Sequence, residues 1–189
     1  RQLSGGRPVL QRLYHWLIMP HRLALLRRRL RRLERPRLLD VGCGNHSPSV
    51  TKRYLPRCEY HGLDRRRWNR DAADDRLLDR LFEIDLERPE ELAAIPEAAY
   101  DAVICSHVLE HLSDPYGTAA RLAAKVRPGG VLYLETPAPR SLRLPRAARG
   151  RLGIRGCLNF RDDETHRELV DLARIARALA AAGFRVRGP

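Results

Sequence analysis

The sequence predicts an α/β protein in which helices cover both faces of a doubly wound, mostly parallel sheet. From residue 37 onward, short apolar runs alternate with amphipathic stretches, as strands do with crossover helices. The length of 189 residues suits a single domain. Strands are expected at 38–41, 59–63, 81–84, 100–105 and 130–135, and helices near 48–55, 72–80, 89–95, 112–126 and 165–182.

The composition is that of a soluble globular protein. With 43% hydrophobic and 31% charged residues and dispersed Gly and Pro, it disfavours collagen-like, coiled-coil and disordered classes. The longest apolar candidate, Tyr14 to Met19, is far shorter than the ~20 residues that cross a bilayer, and no signal peptide is recognisable. We therefore expect a cytoplasmic protein.

The four cysteines are expected to be reduced and mainly to serve packing. Cys43, Cys58, Cys105 and Cys157 lie far apart with no Cys-x-x-Cys pair. This spacing suggests neither a zinc knuckle nor a disulfide framework.

Positive charge is concentrated at two places in the chain. The formal net charge is +13, of which residues 1–37 carry +10 and residues 140–161 carry +7, whereas residues 38–139 carry −4 and residues 162–189 are neutral. The basic segments are candidates for contact with an anionic partner. Biased use of Arg on a solvated surface explains the same pattern, and the sequence leaves both interpretations open.

The chain divides into a basic helical flank, 1–36, and a main domain, 37–189, with an Arg-rich lid or loop at 137–161. Leucines recur at helical spacing through 10–33, with an interruption at Pro20, which predicts two amphipathic helices. This flank is expected to pack on the domain. Contact of residues 10–33 with the inner membrane surface is the alternative.

Glycines and acidic residues follow the predicted strands. The first strand runs into Asp40-Val41-Gly42-Cys43-Gly44-Asn45, a turn where backbone approaches a ligand closely. Asp64 ends the second strand, where a carboxylate can accept hydrogen bonds from both hydroxyls of an adenosine ribose. The third strand ends at Asp85-Leu86, the fourth runs into Ser106 to Leu112, and Pro128-Gly129-Gly130 leads into the fifth.

In this order and spacing, these blocks resemble the class I S-adenosylmethionine-dependent methyltransferases, in particular their small-molecule, type 11-like branch. The resemblance covers 37–139 and, more loosely, 158–187. It implies a seven-stranded Rossmann-like sheet with S-adenosylmethionine as the cofactor. Carried onto this sequence, the implied cofactor-binding residues are Asp40, Gly42, Gly44 and Asn45 toward the methionine portion, Asp64 at the ribose, Asp85 and Leu86 at the adenine, and Ser106 or His107 at the methionine end.

The sequence departs from this family at two places. His46 stands where the family has its third glycine, so contact with the cofactor carboxylate is expected to differ. The chain ends at 183–187, about where a sixth strand belongs, so the sheet is either shortened, lacking the last strand, or incomplete.

Two histidines are the catalytic candidates. His111 is placed where related enzymes line the acceptor pocket, although a structural role at the start of a helix is equally expected. His166 ends Asn-Phe-x-Asp-Asp-x-Thr-His, a pattern resembling one in bacterial methyltransferases of this class. His166 is a candidate base or acceptor-orienting group whose tautomer Asp162 or Asp163 would fix. Asp163 or Thr165 is alternatively the N-cap of the next helix.

His107 to His111 also match the H-x-x-E-H zinc-protease pattern. Zinc binding by that pair requires both rings on one helical face, and His107 is expected in the turn that leaves the fourth strand. We therefore predict no metal site.

The sequence thus predicts S-adenosylmethionine-dependent transfer of a methyl group to a small or lipid- or glycan-linked acceptor, favouring an oxygen atom. The Arg-rich segments suggest an anionic acceptor and equally allow a nucleic acid. An RNA methyltransferase is the main alternative. A non-catalytic nucleotide-binding or peripheral-membrane module is the other.

Overall fold

A computed structural model describes residues 20–146 and 159–187. Predictions for residues 1–19 and 147–158, which include Cys157, the first amphipathic helix and much of the lid, lie outside this part of the chain. Within it, five parallel strands form one sheet in the order β3-β2-β1-β4-β5. The strands are β1 (Arg37–Val41), β2 (Glu59–Asp64), β3 (Arg80–Glu83), β4 (Tyr100–Ser106) and β5 (Val126–Glu135).

Helices cover both faces of the sheet, which confirms the predicted fold class. They are α1 (His21–Leu30), α2 (Ser47–Tyr54), α3 (Ala72–Asp75), α4 (Pro115–Lys125) and α5 (Leu172–Ala181), with 3₁₀ helices at Pro89–Ala94, Leu109–His111, Pro139–Arg143 and Phe160–Asp162. Neighbouring strand residues point to opposite faces, so Leu38 and Leu39 enter different cores. Leu38 joins the core under α1 and α2, and Leu39 joins the one under α4 and α5.

Helix α1 is part of the folded domain. Its Leu23, Leu26 and Leu30 are buried in the core that contains Leu38 and Tyr60. Its arginines 27, 28 and 29 face solvent. None of the helices in residues 20–146 and 159–187 has both the length and the apolar character needed to span a bilayer.

Several predicted element bounds are wrong. Helix α3 ends at Asp75, so the helix predicted at 72–80 is too long, and the one at 89–95 is a 3₁₀ helix. The late helix begins at Leu172 rather than 165, because Asp171 is its N-cap and accepts hydrogen bonds from the amides of Ala173 and Arg174. Residues 184–187 are not in a strand.

The described cysteines serve packing, as predicted. Cys43, Cys58 and Cys105 are buried and unbridged. Burial raises the pKa of Cys43 to about 12 and that of Cys58 to about 11, so these thiols are protonated at neutral pH.

Candidate functional site

The candidate site lies at the carboxyl ends of the parallel strands. In the observed order, the chain leaves β1 toward one side of the sheet and enters β4 on the other, so the switch point of the sheet lies between the ends of β1 and β4. Ligands of open α/β sheets bind at such switch points. The parallel pairing also brings Asp64 and Ser106 to this edge.

The glycine turn after β1 is shaped by two close contacts. Gly42 has φ +75°, and a Cβ there would lie 2.5 Å from Val108 Cγ2. A Cβ on Gly44 would lie 2.7 Å from the Trp68 carbonyl oxygen. Only glycine fits either place without a shift of the neighbouring loop.

The segment around Trp68 already uses two amides of this turn. Asn45 N donates to Trp68 O at 3.0 Å, and His46 N donates to Asn69 O at 3.2 Å. The Asn45 side-chain oxygen accepts from Asn69 Nδ2 at 2.7 Å. Residues 68–69 therefore brace the left-handed backbone at Asn45 and His46, and the expected difference in contact with the cofactor carboxylate stays a prediction.

Asp40 lies beneath the turn. Its Oδ2 accepts hydrogen bonds from Ser47 Oγ and the Tyr60 hydroxyl, each at 2.5 Å. Burial raises the pKa of Asp40, although these two hydrogen bonds oppose the rise. The structure thus gives the Asp40 carboxylate a bracing contact, and its predicted contact with the cofactor stays a prediction.

The predicted ribose and adenine residues lie along the same edge. Asp64 is partly exposed, and among the described residues its carboxylate accepts only from Arg66 N, at 3.3 Å. Asp85 accepts from Glu87 N at 3.1 Å and lies 3.8 Å from Arg65 Nη1. Leu86 is partly buried against the core. The Asp64 carboxylate therefore keeps capacity to accept further hydrogen bonds, and its predicted contact with the ribose stays a prediction.

Ser106 and His107 form the turn that leaves β4. Ser106 Oγ donates to Glu135 Oε2 at 2.8 Å. His107 has φ +55° and places Nδ1 3.2 Å from Glu110 Oε1. The hydrogen bond with Glu110, together with the negative charges of Glu110 and Glu135, raises the pKa of His107 against the effect of burial.

Beyond this turn, the two candidate histidines meet although 55 positions separate them in the chain. The ring centroids of His111 and His166 lie 4.8 Å apart, and His166 also stacks on Phe160 at 4.6 Å. His166 Nδ1 lies 2.6 Å from the Phe160 carbonyl oxygen, which can only accept, so Nδ1 carries the proton and Nε2 the lone pair. The prediction that Asp162 or Asp163 fixes the tautomer of His166 is therefore wrong, because the Phe160 carbonyl does so.

Thr165 connects His111 to Asp163. The Thr165 hydroxyl is 2.5 Å from Asp163 Oδ1 and 2.9 Å from His111 Nδ1. Burial alone would raise the pKa of Asp163, but hydrogen bonds from Thr165, followed by electrostatic interaction with the rings of His166 and His111, lower it. Asp163 and Thr165 thus support the histidine pair, and neither is the N-cap of α5.

Glu110 is the residue that sequence reasoning passed over, apart from its place in the H-x-x-E-H pattern. It is fully buried, and its Oε1 lies 4.0 Å from His166 Nε2. The backbone bond from Arg167 N to Glu110 O, 2.8 Å long, joins the two segments. The available signal in the sequence was an acid shortly after the apolar run of β4, where burial is expected. Because buried carboxylates are rare unless they are paired, such an acid indicates a site with partners.

The described part of the lid is held beside this cluster. Asn159 is buried, and its Nδ2 donates to Leu144 O at 2.6 Å and to Leu142 O at 3.2 Å. Arg140 and Arg143 of the lid are exposed. Asn159 therefore joins the two described parts of the Arg-rich segment 137–161, and it brings residues 142–144 close to the residues that precede His166.

A family model described as a methyltransferase domain matches residues 15–187. The curated relatives include ubiquinone biosynthesis O-methyltransferases from Burkholderia thailandensis, 33% identical over 53% of this chain and 44% of the relative, and from Ralstonia nicotianae, 30% identical over 78% and 60%. The chain thus spans about half the length of these relatives.

Solved structures share the fold. A SAM-dependent methyltransferase from Archaeoglobus fulgidus has a TM-score of 0.57 and 24% identity, covering 86% of this chain and 69% of that one. At this level of identity, the likeness concerns the arrangement of strands and helices.

Proposed function

Because this chain belongs to the family of methyltransferase domains and has the fold of class I S-adenosylmethionine-dependent methyltransferases, we propose that it transfers a methyl group from S-adenosylmethionine to an oxygen atom of a small or lipid- or glycan-linked acceptor. The observation that carries the proposal is the cluster of His111, His166 and Glu110 just beyond the β4 turn. The O-methyltransferase names of two curated relatives support the choice of oxygen.

S-adenosylmethionine is the cofactor of this family, and the residues at the strand ends fit it. It supplies a methyl group on a sulfonium, which an aligned nucleophile displaces without covalent help from the protein. Asp64 has a carboxylate available for ribose hydroxyls, and in the proposal Asp40 and the glycine turn lie toward the methionine portion. In the proposal, Ser106 and His107 lie at the methionine end, with Asp85 and Leu86 at the adenine.

The histidine pair handles the acceptor proton in this proposal. A hydroxyl must lose its proton as it attacks, and an imidazole with an unprotonated nitrogen accepts or orients that proton. His166 Nε2 has this lone pair, and it lies 4.0 Å from Glu110 Oε1 and 3.9 Å from Asp163 Oδ2. Two carboxylates near Nε2 stabilise the imidazolium that forms there.

The basic lid favours an anionic acceptor. Residues 137–146 include Arg140, Arg143 and Arg146 and no acid, and all three arginines are exposed. Because Asn159 fixes the lid carbonyls near Phe160 and His166, these arginines belong to the same end of the molecule as the histidine pair. Guanidinium groups there would bind a carboxylate or a phosphate of the acceptor.

Calorimetric titration and turnover test this function. We expect micromolar S-adenosylmethionine binding, at least tenfold weaker in Asp64→Ala, and no binding of NAD. With 3,4-dihydroxybenzoate as test acceptor, His166→Asn should lower S-adenosylhomocysteine formation about 100-fold, the scale of general base catalysis, and change cofactor affinity less than twofold.

Three outcomes would contradict the proposal. Absence of S-adenosylmethionine binding would remove the methyltransferase function. Full activity of His166→Asn would remove the catalytic role of His166. Salt-dependent binding of RNA with methyl transfer to RNA would replace the small-molecule acceptor by a nucleic acid.

A further inference from the structure

The buried carboxylate of Glu110 lacks a full set of partners. Its side chain is completely buried in the 3₁₀ helix after β4, and Oε1 contacts His107 Nδ1 at 3.2 Å. Oε2 has no hydrogen-bond partner among the described residues. Because burial of an unpaired carboxylate oxygen is costly, such an atom indicates a cation or donor that completes the site.

Both neighbouring histidines keep one unprotonated nitrogen. The Phe160 carbonyl fixes the proton of His166 on Nδ1. Thr165 donates its hydroxyl proton to Asp163, so Thr165 Oγ1 accepts from His111 Nδ1 and leaves the lone pair of His111 on Nε2. Metal-binding histidines are characteristically oriented in this way, with the second ring nitrogen held by a carbonyl or another polar group.

From this arrangement, we propose that Glu110, His111 and His166 bind a divalent transition-metal cation. One ligand atom from each residue lies within 4.8 Å of the others. Ligands about 2.1 Å from a tetrahedral zinc ion are roughly 3.4 Å apart, so the three ligand atoms would approach one another by up to about 1.4 Å on binding. Two imidazoles and one carboxylate favour Zn²⁺ over Mg²⁺, which prefers oxygen ligands.

This set differs from the pair in the H-x-x-E-H pattern. His107 lies in the turn after β4 with a side chain 55% exposed, whereas His166 comes from the segment after the lid. Only the tertiary contact between the two segments brings His166 to Glu110 and His111. The proposed site therefore differs in composition from the H-x-x-E-H pair, and it departs from the prediction that the chain has no metal site.

A second cluster, His46, Asp71 and Asp74, carries no such inference. The Asp74 carboxylate accepts from His46, from Ser49 and from the Asp71 amide. The Asp71 carboxylate caps α3. The two carboxylates already have hydrogen-bond partners, and their arrangement is that of a helix cap.

The inference deepens the proposed function, on which its catalytic consequence rests. A cation with an open coordination position would bind an acceptor hydroxyl and lower its pKa, so that the hydroxyl releases its proton to solvent before it attacks the methyl group. His166 Nε2 is then a ligand, and it acts as a base only in the cation-free protein. Restoration of activity by Zn²⁺ after chelation would assign the proton step to the cation.

Calorimetric titration of the chelator-treated full chain with ZnCl₂ tests the site without cofactor or acceptor. We expect one equivalent bound at micromolar Kd or tighter, and at least tenfold weaker binding in Glu110→Gln, His111→Gln and His166→Gln. The exposed-site control His21→Gln should bind zinc as the unchanged protein does. His107→Gln should weaken binding less than either His111→Gln or His166→Gln, because His107 contacts Glu110 but is not a ligand in the proposed site. Circular dichroism checks that each variant folds, and the two histidine variants report on the site even if Glu110→Gln unfolds.

The inference would be overturned if the unchanged protein has no stoichiometric zinc site. It would also be overturned if His111→Gln and His166→Gln both bind zinc as tightly as the unchanged protein. Loss of binding in His107→Gln with retention in His166→Gln would overturn it in favour of the H-x-x-E-H pair. Since this titration contains no S-adenosylmethionine, failure of methyl transfer and failure of zinc binding are observed separately.

Discussion

At the scale of single residues, buried carboxylates organise the loops around the site. Asp74 is completely buried, and its Oδ2 accepts from His46 Nδ1 at 2.6 Å and from Asp71 N at 3.1 Å. Its Oδ1 accepts from the amide and hydroxyl of Ser49. One side chain thus joins α3 to the glycine turn and the start of α2.

We expect Asp74→Asn to destabilise the protein by about 2–3 kcal/mol. The amide keeps one acceptor oxygen, and its NH₂ group faces donors, so buried groups lose partners. Urea unfolding at pH 7 measures the loss, and exposed Glu90→Gln, a control that removes one carboxylate, should change stability by less than about 0.5 kcal/mol.

The same comparison has a defined pH dependence. Burial would raise the pKa of Asp74, but hydrogen bonds from Ser49, Asp71 and His46 lower it overall. A lowered pKa means that the charged form stabilises the folded state above the unfolded pKa, near 3.8, and that this stability is lost as the pH falls through the folded value. The difference between the unchanged protein and Asp74→Asn should therefore shrink below pH 4; a difference that stays constant to pH 2 would contradict this account.

At the scale of elements, the turn between β1 and α2 depends on a contact with the β4 turn. We expect Gly42→Ala to weaken S-adenosylmethionine binding at least tenfold, since its Cβ would lie 2.5 Å from Val108 Cγ2. Gly183→Ala is the matched control: it has φ +89°, and nothing lies within 4 Å of its added Cβ. It should cost about 1 kcal/mol of stability through backbone strain and leave cofactor affinity unchanged.

A second substitution distinguishes steric overlap between the added Cβ and Val108 from backbone strain at the positive φ of residue 42. Val108→Ala in the Gly42→Ala background removes Cγ2 and should recover much of the lost affinity. If Gly42→Ala binds the cofactor normally, or the double variant recovers nothing, contact with Val108 does not shape the site.

The same scale shows what the sequence could predict. Buried parallel strands are continuous apolar runs, so all five strands were found within a few residues. The predicted helix bounds were wrong where a capping residue, rather than the apolar periodicity, sets the start of the helix. Helix α5 begins after its N-cap Asp171, although the predicted helix begins at 165. The sequence could not predict that the two histidines form one cluster. Their contact depends on the backbone hydrogen bond from Arg167 N to Glu110 O, which joins two segments that are far apart in the chain.

At the scale of the whole molecule, the described part of the basic flank, residues 20–36, is divided between core and surface. On α1, Leu23 and Leu26 are 0% exposed and pack in the core with strand residues of β1, β2 and β4, while arginines 27, 28 and 29 point outward. The leucines of 10–33 that the structure describes thus pack against the protein's own core. An anionic partner would meet the arginines, with the helix still docked.

We therefore expect Leu26→Ala to reduce the free energy of unfolding by about 3 kcal/mol, as core truncations of leucine do. Arg28→Gln on the exposed face should change it by less than about 0.5 kcal/mol and lower only salt-dependent binding to anionic vesicles, if such binding occurs. Urea unfolding and vesicle flotation measure the two effects independently. If Leu26→Ala unfolds as the unchanged chain does, α1 contributes nothing to the core in solution, and its leucines become available to a membrane surface. If stability falls as expected, removal of residues 1–35 exposes the core beneath α1, and only the arginine variants can report on a surface partner.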